Sequence, residues 1–251
     1  MMKNYCLEAC VDSVQSAINA KKGGANRLEL CGNLILGGTT PSIGLFEEVK
    51  KQTNMETRVL IRPRFGDFCY TEEEFQVILR DIDRFVALGA DGIVTGMLKE
   101  DGNLHIERMK EVMEHAKGCK VTLHRAFDVC CDPNKTLEQA KELGIHTILT
   151  SGQADCCLEG TELIKQLIKK ADNQIEILIG SGVNKKVIEV VYEKTKGTSY
   201  HMSGKEVLQS QMIYRKEGVN MGLSSFSEFE IWQTKEEKIR EAVFVLKRLI
   251  G

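Results

Sequence analysis

The chain has 251 residues, with 34 basic against 36 acidic, a net charge of -2 and a 42% hydrophobic share. That balance carries no footprint for nucleic acid or an anionic membrane, and the size suits one large domain over residues 1–251 with a full core. No apolar run approaches bilayer-spanning length, and the start, Met1 to Glu8, is too short and too acidic for a signal peptide. A cytoplasmic address is therefore expected.

A strand-then-helix alternation begins at once. Tyr5 to Cys10 reads as a strand, and Asp12 or Ser13 can cap a helix running to about Lys22. Arg27 to Cys31 is the second strand. A glycine-bearing loop and Pro41 precede a helix over Ser42 to Lys51. Arg58 to Arg62 is the third strand, and Thr71 with Glu74 matches a capping box that opens a helix to Leu88.

The unit repeats in the second half. Gly89 to Gly96 gives strand four, with its helix over His105 to Lys117. Lys120 to His124 gives strand five, with a helix from Pro133 to Leu143. His146 to Thr150 is strand six, followed by a helix over Thr161 to Lys170. Glu176 to Ile179 is strand seven, followed by a helix from about Asn184 to Lys194. Ser199 to Ser203 is the candidate for strand eight. Residues 205–230 lack clean periodicity and read as a long eighth loop lying over part of one barrel mouth. A last helix, Lys235 to Ile250, closes the chain. Eight strand–helix units predict a single (β/α)₈ TIM barrel; the same alternation allows a doubly wound open sheet, but the count of eight and the charges inside or at the ends of most strands favour the barrel.

Side chains two apart in a strand share a face. Cys6, Glu8 and Cys10 then oppose Leu7 and Ala9, while Arg27, Glu29 and Cys31 oppose Leu28 and Leu30. Arg58, Leu60 and Arg62 oppose Val59 and Ile61, and Thr122 and His124 oppose Val121 and Leu123. The apolar faces should meet the helices, so the mixed faces turn inward. Glu8, Glu29, Arg62 and His124 are thus expected near the C-terminal mouth, where barrel enzymes carry their sites.

Buried charges must be paired or used, which leaves two readings of this group. In one it is a structural ion-pair network. In the other, Glu8, Glu29, His124 and Asp128 are acid–base residues, with Asp128 orienting the His124 imidazole. Arg62, Arg64, Asp67 and Arg125 would hold an anionic ligand or shape their turns. Ser151, Ser181 and Ser203, in small-residue turns after strands six to eight, suit an anion or phosphate, although turns needing only glycine look the same. No organic cofactor motif is present.

Nine cysteines are many for such a chain, and their spacing is not that of a disulfide framework. Cys10 and Cys31 fall past the ends of neighbouring strands on the inward parity, and soft thiolates select Cu(I) or zinc. Cys130, Cys131, Cys156 and Cys157 follow strands five and six. As a class, free cysteines are equally at home as small buried hydrophobes.

Several motifs occur in order: Glu29-Leu30-Cys31, Gly37-Gly38-Thr39-Thr40-Pro41-Ser42, Ile61-Arg62-Pro63-Arg64 with Gly66-Asp67-Phe68 and Tyr70, Asp91-Gly92-Ile93-Val94, His124-Arg125-Ala126-Phe127-Asp128 and Leu149-Thr150-Ser151-Gly152. Together they resemble the CutC family of copper homeostasis proteins, from about residue 5 to residue 204. The resemblance implies a TIM barrel, a cytoplasmic protein in copper homeostasis, and a homo-oligomer, dimer or larger. Its polar motif residues correspond here to Glu8, Glu29, Arg62, Arg64, Asp67, His124, Arg125 and Asp128. The chain departs from the pattern at Phe65, Thr95 and Ser181. Three functions follow: a copper homeostasis protein binding Cu(I) through thiols such as Cys10 and Cys31, a barrel enzyme acting on a small anionic or carbohydrate-like substrate at the mouth, or a structural and interaction barrel.

Overall fold

The structure, a computed structural model, describes residues 5–216, 218–219, 221 and 226–251. Among the described residues, eight parallel strands close into a barrel in sequence order: β1 (Cys6–Val11), β2 (Arg27–Leu30), β3 (Glu56–Leu60), β4 (Gly92–Thr95), β5 (Lys120–Leu123), β6 (Thr147–Thr150), β7 (Glu176–Ile179) and β8 (Ser199–Met202). The closing pair is β1 with β8, in register Glu8 with His201. Between them lie α1 (Val14–Gly23), α2 (Ile43–Thr53), α3 (Glu72–Ala87), α4 (Ile106–His115), α5 (Pro133–Glu142), α6 (Thr161–Ala171) and α7 (Lys185–Thr195). The expected (β/α)₈ fold is what forms.

The helices start where their caps dictate. Ser13, Ser42, Thr71 and Asn184 each accept a first-turn backbone N–H, and Thr71 with Glu74 makes the full capping box. Asp132 caps α5 with Pro133 in its first turn, where a missing N–H costs nothing.

The two strand faces separate as alternation requires. Leu7, Ala9, Leu28, Leu30, Val59, Ile93, Val121 and Ile148 join one large cluster with helix residues such as Phe46, Ile78, Val112 and Leu137. Cys10, Cys31, Leu60 and Val94 form a second, smaller apolar cluster. The rest of the inward parity is mostly polar, with Leu149 and Leu178 as buried apolar exceptions. Arg58, 2% exposed, donates to Thr122 Oγ1 and Thr147 Oγ1, each at 2.8 Å. It fits because β4 places Gly92 beside it: a Cβ there would come within 2.9 Å of Arg58 Cγ.

The long eighth segment departs from the expectation of plain loop. β9 (Lys205–Gln209) pairs antiparallel with β10 (Glu230–Thr234), with Lys205 opposite Thr234. The ribbon's base is fastened to α1, since Asn19 Nδ2 donates to the Thr234 carbonyl and the Thr234 N–H donates to Ser16 Oγ. Lys205 Nζ sits 3.6 Å from the centre of the Trp232 ring. Sequence pattern missed this pair because about twenty residues separate the strands, so no short-turn signal marks them. The final helix, α8 (Glu236–Ile250), packs on both α1 and α7 and completes the ring. No helix among the described residues is long and apolar enough to cross a membrane.

Candidate metal centre at the barrel mouth

Cys10 is the last inward-facing residue of β1, and Cys31 follows β2 directly. Their sulfurs lie 3.8 Å apart, with Cys10 4% and Cys31 0% exposed. The Cys10 thiol donates to Glu29 Oε1 at 3.3 Å, and Cys31 points its sulfur at the Val11 carbonyl at 3.6 Å. Strand eight brings in a fourth residue. A His201 ring nitrogen, the Cys10 sulfur and a Glu29 carboxylate oxygen all lie within 4.8 Å of one another. His201 Nδ1 contacts Glu8 Oε1 at 2.8 Å, the carboxylate–imidazole pairing that orients metal-binding histidines.

The charges in this group depend on each other. The bond to Cys31, then burial and Glu29, push the Cys10 thiol well above its usual range. Burial raises Glu29 and outweighs the pull of His201. For His201 burial would lower the value, but Glu29, Cys10 and Glu8 together hold it well above the ordinary range of histidine. Burial would likewise raise Glu8, yet Arg27 and His201 bring it down to about 2. Arg27 Nε is ion-paired with Glu8 Oε2, and its Nη1 reaches Glu176 Oε2 at 3.2 Å. The barrel axis therefore carries a continuous polar column: Glu176, Arg27, Glu8, His201, Glu29, Cys10 and Cys31.

This geometry divides the acid–base set that strand parity placed at one mouth. Glu8 belongs to the column, below the thiols, and Glu29 stands beside them. His124 lies elsewhere, its ring centre 4.7 Å from that of Phe68. Asp128 does not orient it. His124 Nδ1 accepts the Ala126 N–H at 3.2 Å, because His124 caps the 3₁₀ turn Arg125–Val129. That turn swings Asp128 towards β6, where its carboxylate accepts from Thr150 Oγ1 at 2.5 Å, from the Ser151 N–H at 3.0 Å and from the Gln153 N–H at 3.2 Å. Replacing Asp128 by alanine is expected to cost about 2 kcal/mol of stability through the donors left unpaired. The His124 tautomer, read from its imidazole ¹⁵N shifts, should stay as in the parent.

The arginines are mostly spent on shaping loops. Arg62 donates through Nη1 to the Gly37 and Gly38 carbonyls and through Nη2 to that of Gly66. Arg64 binds Glu74 Oε1 at 2.5 Å and Asp67 Oδ1 at 3.0 Å, so it and Asp67 secure the loop to the start of α3. Arg125 holds Asp128 Oδ2 at 2.7 Å and Ser151 Oγ at 2.9 Å. Ser181 Oγ donates to the Asp155 carbonyl. Ser203 lines a recess of about 410 Å³ with Lys185, Lys186, Lys205 and Lys238. Of the other thiols, Cys157 is pushed up to about 12 by burial, the Cys130 sulfur accepts from Gln153 Nε2 at 3.6 Å and Cys131 is exposed. None of them joins the Cys10–Cys31 pair.

Sequence reasoning passes over Arg27 and Glu176 as site residues, and above all His201. A signal exists for His201: Ser199, His201 and Ser203 share one strand parity, and Ser203 on that face is itself an expected anion contact.

A pair of touching thiols beside a carboxylate and an imidazole, on a closed barrel, can be set against known proteins. The family model described as CutC family matches residues 5–206. The chain belongs to the CutC family. A CutC family protein of Bacteroides fragilis is 43% identical over 244 residues, covering 96% of this chain and 97% of its own length. The human copper homeostasis protein cutC homolog is 40% identical over 247 residues, covering 98% of this chain and 90% of its own. The crystal structure of the CutC protein from Streptococcus agalactiae superposes with a TM-score of 0.76 at 31% identity, over 79% of this chain and 98% of that one.

The CutC chain's donor set fits a soft monovalent metal. Two thiols in contact supply the ligand type that selects Cu(I), and imidazole is compatible with it. Glu29 Oε2, buried and without a partner among the described residues, leaves acceptor capacity unused on a residue of the same group.

Proposed function

We propose that this protein binds Cu(I) as cargo through Cys10 and Cys31, and that it serves copper homeostasis in the cytoplasm as a homo-oligomer, dimer or larger. The observation that carries the reading is the 3.8 Å contact between two buried sulfurs that the chain brings together from neighbouring strands. Thiols lose their protons on binding metal, and here Cys10 already directs its S–H at Glu29 Oε1. Glu29 and His201 would stand beside the two thiolates, with Glu8 holding the imidazole. The copper homeostasis name of the human relative agrees with this chemistry.

An anaerobic titration against a competing Cu(I) chelator tests it. One Cu(I) per chain is expected for the parent and for C130S/C131S, and none for C10S/C31S at the same chelator concentration. Undiminished binding by C10S/C31S would sink the reading.

A further inference from the structure

Away from the thiol pair, the wall built by β3, β5 and the loop after β3 holds three buried side chains whose hydrogen-bonding capacity the fold leaves unused. Arg62, His124 and Tyr70 are 8%, 5% and 6% exposed. Arg62 has committed both Nη atoms to loop carbonyls, but its Nε–H meets no partner among the described residues. His124 Nδ1 accepts the Ala126 N–H, which puts the ring proton on Nε2, and that nitrogen too is unpartnered. The Tyr70 hydroxyl is the third such atom.

These atoms belong to one neighbourhood. The Phe68 ring lies 4.7 Å from the His124 ring and 5.0 Å from Arg62 Cζ. Tyr70 is close enough to Arg62 to feel its charge, though its hydroxyl makes no hydrogen bond of normal geometry there. Leaving a buried donor unbonded costs about 1–3 kcal/mol, so three together are a cost the fold carries for a partner. Phe68 also lines a cavity of about 670 Å³, with Asp67, Cys69, Leu98, Lys99 and Val129 on its walls. The Phe68 ring thus lies against Arg62 and His124 and also lines the cavity, which has room for the body of a small molecule.

The chemistry of the missing partner follows from the donors. Arg62 and the Nε2–H of His124 can only donate, and Tyr70 can donate. The group carries one formal positive charge, on Arg62. Its complement is a singly charged acceptor with two oxygens. We infer that Arg62, His124 and Tyr70 form a recognition site for the carboxylate of a small organic acid, reached from the cavity beside Phe68 and distinct from the thiol pair.

The test uses the metal-free full-length protein with sodium acetate as the probe, and chloride and inorganic phosphate at matched ionic strength. The His124 imidazole signals are followed by NMR. Acetate should shift the Nε2–H signal saturably, and equally well in C10S/C31S, which separates this site from copper binding. Y70F should weaken acetate about tenfold, the scale of one hydrogen bond to a charged group. Arg62 also holds three loop carbonyls, so R62K is informative only where its fold is intact by circular dichroism, and Y70F is the deciding variant. The inference is overturned by a response that does not saturate, by an equal response to chloride, by tighter phosphate binding, or by Y70F binding acetate like the parent. A crystal soaked in acetate that holds only water at the three atoms overturns it as well.

Discussion

Replacing Arg27 by methionine is expected to lower the stability of the fold by about 3–5 kcal/mol, the usual cost of removing one partner of a buried ion pair. Glu8 is 0% exposed and Arg27 is 5% exposed, so little water can take the place of the lost guanidinium. Burial alone would raise the Glu8 carboxyl, and Arg27 is the largest of the groups that bring it down to about 2. Glu176 would lose its 3.2 Å contact at the same stroke, keeping Thr147 and a 4.0 Å approach to Arg58. Urea denaturation of the parent, R27M, E8Q and the double variant gives the coupling directly. The double variant should recover a substantial part of the loss, because it no longer buries an unpaired charge. A loss below about 1 kcal/mol in R27M, the range of exposed pairs, would mean that water reaches the column.

A second large effect is expected in the acid limb of stability. Burial, helped by the Arg62 charge, lowers His124 from its ordinary 6.5 to about 3. The folded protein therefore keeps His124 neutral between pH 6.5 and about pH 3, while the unfolded chain protonates it. The unfolded state binds more protons across that window, so stability rises with pH there. The contribution is complete above pH 6.5 and is lost as pH falls towards 3, about 4–5 kcal/mol at about 1.4 kcal/mol per pKa unit. H124N is the informative variant, since an asparagine oxygen can still accept the Ala126 N–H at the start of the 3₁₀ turn. Guanidinium unfolding at several pH values between 4 and 7 should give a flatter dependence for H124N than for the parent. Parallel curves would place the acid lability elsewhere.

The barrel was legible because its signals are local. The strands announce themselves by short apolar runs, several of them ending in charge, and most helices by a cap such as Ser42, Thr71 or Asn184. The inward face was legible too, since parity alone sorts Glu8 and Cys10 from Leu7 and Ala9. What parity does not supply is depth along the axis or which neighbour a long side chain chooses. Glu8 and Arg62 share an inward face, yet one joins Arg27 and the other ties down glycine loops. His124 and Asp128, four residues apart, invite pairing, but the 3₁₀ turn between them sends the carboxylate to β6. His201 was missed because its partners, Glu8 and Cys10, lie at the other end of the chain.

That distance bears on how the molecule comes to exist. Glu8 and His201 are 193 positions apart, and Arg27 and Glu176 are 149 apart. During synthesis, β1 leaves the ribosome with an open edge and keeps it until β8 follows. Its inward glutamate meanwhile has Arg27 for company but no imidazole. Pairings of such long range are slow to form and leave aggregation-prone intermediates. A nascent chain halted before β8 should therefore hold strand edges with nothing to dock on. Cys10 and Cys31, both made within the first 31 residues, would be among the first groups synthesised, yet would wait for β8 before His201 joined their group.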